Sequence, residues 1–451
     1  MEKNLTEGSL VKNILIFSLP FLLSYFLQTL YGMADLFIAG QFNGADVISA
    51  VSIGSQVMHM FTVMIVGLSM GCSVLVGQAV GGRDSKKVAK VVGNTIILFV
   101  ILSIILTIVL LLLVRPIVSA VSTPAESVEE TVQYLFICFL GIPFIIAYNV
   151  IASIYRGMGD SKSPMFFVAI ACVINIILDI IFMGPMGMTA AGAAWATIIA
   201  QAISVIISLI AMVKSKNGIK LSKDDLKIDR PLMLNILKIG FPVCCQDGFI
   251  QISFLIITTI ANRRGVSIAA AVGIVEKIIT FLFLIPSSMM STVSTIAAQN
   301  IGAQKKDRAT KTLFISAAIA VGIGLVFAII FQFAAKSVLK AFTHDDEVVR
   351  FGVQYLKTYV FDCVFAGFHF CFSGYFVAMG KSIISFIHNS ISILFFRIPG
   401  AYIAAKFWPE TLTPMGLVAP IGSLVSAIIC FFAFLILTKK TEHRLAIRHP
   451  V

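Results

Sequence analysis

Long apolar runs leave this chain few ways to fold. They recur along it at roughly 12–40, 47–74, 91–114, 131–155, 162–183, 187–213, 236–261, 266–296, 312–335, 351–379, 383–407 and 414–438. Each reaches the 18 or so residues that let a helix cross the hydrocarbon core of a bilayer. Sustained β alternation is absent, so helices rather than a barrel must satisfy the backbone in lipid. Of 451 residues, 58% are hydrophobic and 12% charged; soluble domains carry about 25% charged residues. The expected fold is an all-α membrane protein with twelve transmembrane helices. The polar start, Met1 to Lys12, has no short apolar core with a small-residue cleavage site, so no cleaved signal peptide is expected.

Basic residues gather between alternate spans. Lys3 and Lys12 precede the first. Arg83, Lys86, Lys87 and Lys90 follow the second, Arg156 and Lys162 the fourth, and Lys214, Lys216, Lys220, Lys223, Lys227, Arg230 and Lys238 the sixth. Lys305, Lys306, Arg308 and Lys311 follow the eighth, Lys381 the tenth, and Lys439, Lys440, Arg444 and Arg448 the last. The remaining loops carry acidic patches, Glu126 to Glu130 and Asp345 to Glu347. The excess of positive charge on cytoplasmic loops then places both termini in the cytoplasm. It also accounts for the net charge of +12 without a nucleic-acid partner. Cys72, Cys138, Cys172, Cys244, Cys245, Cys363, Cys371 and Cys430 all lie in apolar runs, with no C-x-x-C. They read as packing residues, and neither a disulfide framework nor a metal site is expected.

The chain repeats itself at an offset of about 221 residues. Ile14 to Pro20 lies over Ile236 to Pro242, Gly77-Gln78-Ala79-Val80-Gly81-Gly82 over Ala298-Gln299-Asn300-Ile301-Gly302-Ala303, and Val132 to Leu135 over Val353 to Leu356. Met158-Gly159 lies over Met379-Gly380, and Met186-Gly187 answers Met415-Gly416 after a small insertion. Six spans per half enter the membrane in the same direction. The repeat predicts two six-helix lobes related by a pseudo-two-fold axis along the membrane normal, with a central site as the default place for substrate. The expected divisions are an N-terminal lobe (1–213), a cytoplasmic linker (214–235), a C-terminal lobe (236–438) and a basic cytoplasmic tail (439–451).

Within the first span, Leu19 to Gly40, stand one acid, Asp35, and one helix breaker, Pro20. A carboxylate at membrane depth costs roughly 2.5–3.5 kcal/mol on insertion scales, so Asp35 should face a polar cavity rather than lipid. Pro20 removes a backbone hydrogen bond and reads as a hinge. Asn175 and Asp179 are spaced i, i+4 and share one helix face. Two buried acids with amide and hydroxyl neighbours can hold a proton or coordinate sodium through oxygens. The glycines Gly67, Gly71, Gly77, Gly81 and Gly82 lack the preceding strand and the G-K-[ST] ending of a phosphate cradle. They read as close helix packing and a tight turn, which excludes ATP as the energy source.

The Pro20/Asp35 helix, the G-Q-x-x-G-G turn, the Arg156-Gly157-Met158-Gly159-Asp160 turn and the Ala298 to Ala303 echo, in this order and duplicated, resemble the multidrug and toxic compound extrusion (MATE) family. The resemblance spans residues 10 to 438 and is nearest its DinF-like prokaryotic branch. It implies a secondary exporter, not an enzyme, driven by inward proton or sodium movement and working by alternating access. Its substrates would be organic cations or amphipathic molecules. Its place would be the inner membrane of a prokaryote, among lipids, as a monomer with no cofactor. Asp35 matches the family's first-helix acid, Asn175 and Asp179 an Asn-x3-Asp pair in the fifth span, and Thr197 a polar partner in the sixth. A sodium ion would sit at Asp35, Asn175 and Asp179; a proton is favoured. The NorM-like branch places acids in the seventh and tenth spans. Asp247 and Asp362 stand nearby but off that spacing, and Ile257 occupies the position that repeats Asp35.

Gln28, Tyr31, Asp247, Glu276, Asp362 and Arg397 are the expected substrate-cavity residues, Arg397 as a counter-ion to one of the acids or as a gate. Protonation of Asp35 would let the first span bend near Pro20 and push substrate outward. The competing reading is a lipid-linked oligosaccharide flippase. That needs a cationic cavity, for which only Arg397 and Lys277 argue. A membrane hydrolase would need a nucleophile–base pair or H-E-x-x-H, and neither is present.

Overall fold

The structure is a computed structural model that describes residues 4–121, 123–214 and 221–448, with side chains to residue 439. Lys3, Lys216 and Lys220 therefore lie outside the described residues, as do the side chains of Lys440, Arg444 and Arg448. The first half comprises α1 (Leu10–Phe42), α2 (Ala45–Gly81), α3 (Ser85–Ala120), a 3₁₀ turn (Ala125–Ser127) leading into α4 (Val128–Leu140), α5 (Ile142–Gly157), α6 (Lys162–Met183) and α7 (Ala190–Lys214). The second comprises α8 (Arg230–Asn262), α9 (Val266–Gly302), α10 (Lys306–Lys340), α11 (Asp346–Tyr359), α12 (Asp362–Ala378), α13 (Ser382–Ile391), a π turn (Ser392–Arg397), α14 (Ile398–Phe407) and α15 (Thr413–Arg448). No strand occurs among the described residues. Among the described residues, eleven helical segments are long and apolar enough to cross a membrane, and the bent pair 125–140 and 142–157, taken as one span, makes twelve.

The duplication is carried in helix lengths. α1, α2 and α3 have 33, 37 and 36 residues; α8, α9 and α10 have 33, 37 and 35. Backbone exceptions recur as well. Arg83 and its repeat Gln304 both take positive φ, at 55° and 62°, and so do Gly159 and Gly380, at 87° and 70°. The left-handed residue after α2 is thus Arg83. The glycines before it serve a close approach instead.

Three details depart from uninterrupted spans among the described residues, the first being a break in the tenth between Tyr359 and Asp362. The fourth span bends by 49° at Gly141, where Pro143 brings no amide hydrogen to the first turn of α5. The eleventh contains the π turn. α8 also begins earlier than its apolar run, at Arg230, because the Asp229 carboxylate accepts from the Leu232 amide at 3.0 Å and Pro231 suits a first turn.

The chain forms two compact units. One contains Met1–Gly8, Leu15–Cys244 and Ala298–Gln304; the other contains Ser9–Ile14, Cys245–Ala297 and Lys305–Val451. Inside the first, small residues let helices meet. A Cβ on Gly54 would fall 2.3 Å from the Tyr134 ring, and one on Gly141 would fall 2.4 Å from Ile198. Ser153 Oγ donates to the Ser69 carbonyl at 2.9 Å, and Ser204 Oγ to that of Phe167 at 3.0 Å. In the second unit, Gly374 abuts the Met290 carbonyl and Gly324 that of Cys363. Close backbone contact of this kind replaces the hydrophobic effect as the packing force in lipid. The outward faces are apolar, as at Leu112, Phe333 and Phe432.

Candidate functional site

Three helices of the first unit converge on one polar locus. α6 is set by Asp160, whose carboxylate accepts from the amides of Lys162 and Ser163 at 3.0 Å and from Ser163 Oγ at 2.6 Å. It ends at Gly184, and α7 starts at Ala190, whose amide donates to Glu130 Oε2 at 3.2 Å. Asn175 and Asp179 point inward from α6 and are fully buried. α1 supplies Asp35, 2% exposed, and α7 supplies Thr197. Asp179, Asn175 and Thr197 all stand beside the Asp35 carboxylate, and Tyr31 stands beside Thr197.

These groups touch without closing their hydrogen bonds. Tyr31 Oη, Asp35 Oδ1, both side-chain polar atoms of Asn175, both oxygens of Asp179, Thr197 Oγ1 and Gln201 Oε1 are buried, and none has a partner at hydrogen-bond geometry. Buried polar atoms are paired in the great majority of folded structures. A cluster of exceptions this dense in one place marks a site rather than a packing accident.

Asp35 also borders a cavity of about 140 Å³ lined by Gln28, Tyr31, Ser55, His59, Thr62, Tyr134, Asn149, Thr197 and Gln201, with Met58 and Cys138 among its apolar walls. Asn175 and Asp179 do not line it, so Asp35 stands between the cavity and the pair. Tyr134 reaches Ser55 Oγ at 3.2 Å. The sequence reading did not single out Ser55, His59, Thr62, Tyr134, Asn149 or Gln201. The available signal was a polar residue inside an apolar span, diluted by other such residues that only back-bond to their own helix, as Thr95 does at 2.8 Å. Pro20 is buried in α1, and its carbonyl accepts from Ser24 Oγ at 2.8 Å.

Gln28 and Tyr31 line the cavity, whereas Asp247, Glu276, Asp362 and Arg397 belong to the second unit and do not. Asp247 is half-buried on α8. Glu276 Oε2 accepts from Thr258 Oγ1 at 2.8 Å, and Tyr355 is buried in the same unit. Glu276 and Tyr355 repeat the Ser55/Tyr134 pair of the first half. Arg397 is closed on Asp362. Its Nη2 lies 3.1 and 3.3 Å from the two carboxylate oxygens and 2.8 Å from Ser423 Oγ, at side-chain exposures of 8% and 0% for Arg397 and Asp362. Asp362 opens α12, where the helix dipole favours a carboxylate. Among the described residues, no group of three or more His, Cys, Asp or Glu side chains is placed to hold a metal ion.

A twice-repeated set of apolar helices, with a buried acidic locus opening on an internal cavity, defines a polytopic membrane transporter. A profile of the MatE family matches residues 20–181 and 242–403, one stretch in each half, and the chain belongs to that family. It is similar to the probable multidrug resistance protein YpnP of Bacillus subtilis (strain 168), 28% identical over 394 residues that cover 87% of this chain and 88% of that one. The multidrug export protein MepA of Staphylococcus haemolyticus (strain JCSC1435) is 24% identical and covers 83% of each chain. A solved structure, the outward-facing conformation of a multidrug resistance MATE family transporter of the MOP superfamily, shares the fold. Its TM-score is 0.90 at 22% identity, over 97% of this chain and 98% of that one. The protein is an integral membrane transporter and not an enzyme.

Proposed function

We propose that this transporter exports organic cations or amphipathic compounds across the plasma membrane of a prokaryote, with both termini cytoplasmic, in exchange for inward protons. The observation that carries the reading is the set of unpartnered buried polar atoms around Asp35, at the wall of a cavity. Two carboxylates in contact cannot both stay charged without a shared proton or a bound cation. Asp35 and Asp179 therefore form the coupling locus, with Asn175 and Thr197 as its neutral partners. A proton is favoured over sodium because one proton shared between the two carboxylates removes one of the two buried charges. Gain or loss of the proton changes the bonds Asp35 makes and lets α1 bend at Pro20, which alters the cavity. The resistance and export functions of the relatives support the substrate class, and the motif order supports a DinF-like placement.

The test is ethidium transport in proteoliposomes with a pH gradient or a sodium gradient imposed separately. Uptake should follow the pH gradient alone. Asp35→Asn should fold and insert yet transport no faster than protein-free vesicles. Sodium-driven transport would replace the proton, and normal transport by Asp35→Asn would refute the locus.

A further inference from the structure

The duplicated turn motif has a structural use beyond helix packing. Gly81 and Gly302 are repeat-equivalent, and each faces the other half's glutamine backbone. A Cβ on Gly81 would lie 1.9 Å from the Gln299 carbonyl oxygen, and one on Gly302 would lie 2.0 Å from that of Gln78. The last turns of α2 and α9 therefore cross in reciprocal backbone contact. Residues 298–304 pack with the first unit, although the rest of α9 belongs to the second.

A third segment is threaded onto this crossing. The Leu5 amide donates to Gln299 Oε1 at 3.2 Å, and Asn300 Nδ2 donates to the Leu5 carbonyl at 3.4 Å. Gln299 Nε2 in turn donates to the Gly157 carbonyl at the end of α5, at 3.0 Å. Leu5 and Thr6 are buried at 2% and 6% exposure, between exposed Asn4 and Glu7. Asn4 Oδ1 fixes the local turn by accepting from the Thr6 amide at 3.0 Å. Two consecutive amide side chains of α9 thus grip one residue of the amino-terminal segment. The same glutamine also ties α9 to α5.

We propose that residues 4–6 are a latch on the basic-loop side of the membrane: they hold the last turn of α9 against the ends of α2 and α5, and they let go once in each transport cycle. The latch rests on the transporter reading but not on the identity of the coupling ion. Its hydrogen bonds suit repeated opening: at 3.2 and 3.4 Å they are longer than the usual 2.9–3.0 Å of N–H···O pairs. Gly8, at φ 73°, turns the chain through the left-handed region where the latch ends.

The test joins Leu5→Cys and Asn300→Cys with a short, reducible bis-thiosulfonate linker in proteoliposomes, with each single variant as control for the native cysteines. Linking should slow ethidium transport at least tenfold, and reductant should restore it to within twofold. Transport by the linked protein within twofold of the reduced form overturns the proposal. A second arm needs no substrate. Leu5→Asp should speed amide hydrogen exchange across residues 298–304 and 77–82 at least tenfold, and unchanged exchange overturns the latch. If the unmodified protein fails to carry ethidium, the substrate reading fails and the exchange arm still decides the latch.

Discussion

Deleting one charge of the Asp362–Arg397 pair asks whether the second unit depends on an internal ion pair. At 3.1 Å the Coulomb attraction is about 5 kcal/mol for an effective dielectric constant of about 20. Burial of two ions costs several kcal/mol each, so the intact pair contributes little net stability. Its halves are another matter. Asp362→Asn would leave the buried Arg397 with Ser423 Oγ as its main partner, and Gly422, whose Cβ would meet Arg397 Cγ at 2.9 Å, lets it move little. The expected loss is about 3–5 kcal/mol for Asp362→Asn, for Asp362→Leu or for Arg397→Met. The double variant Asp362→Leu/Arg397→Met should lie within about 2 kcal/mol of the parent, because it removes both desolvation costs together. Equilibrium unfolding in mixed micelles measures the cycle. If the double variant loses the sum of the two single losses, the groups act independently and the pairing argument is wrong.

Asp179→Asn should weaken gradient-driven ethidium transport at least tenfold while leaving thermal stability within about 1 kcal/mol, since its oxygens have no partner to lose. Pro20→Ala should stiffen α1 and raise stability by as much as about 3 kcal/mol while transport falls; unfolding curves beside transport rates check this. Gly302→Ala should cost about 1–3 kcal/mol by overpacking against Gln78, read as a lower unfolding midpoint. The Lys90 ammonium, 2.6 Å away, and the Leu232 amide hold the Asp229 carboxyl below its usual value of 3.8. Asp229 therefore anchors the segment before α8 above that pH and releases it as pH falls through the lowered value. A spin label on Leu226 should gain mobility in that acid range only, and Asp229→Asn should bring the same mobility at pH 7.

The helix order was legible because lipid demands long apolar runs and because each half repeats the other's lengths. The i, i+4 spacing alone placed Asn175 and Asp179 on one face. Their nearness to Asp35 depends on α1, α6 and α7 meeting, which no local pattern encodes. The break at Gly141 was hidden inside a continuous apolar run, since Pro143 is tolerated in a first turn and does not disturb hydropathy. For Arg397 the sequence leaves a counter-ion or a gate open, with three acids as candidate partners. Only the start of α12 at Asp362 selects among them. The cavity polar groups, such as Asn149 and Gln201, looked like any hydroxyl or amide that bonds its own helix.

The π turn at Ser392–Arg397 has a consequence for how the two halves drifted apart. One extra residue in a regular helix would rotate everything after it by about 100° and turn the buried Ala401 and Ala404 outward. A wide turn absorbs that residue locally, so the guanidinium is offered to Asp362 while the following helix keeps its inner face. A local widening of this kind gives one half a permanent internal cation while the helix after it keeps its face. Excising one residue from 392–396 should force a choice between Arg397 and the alanine face.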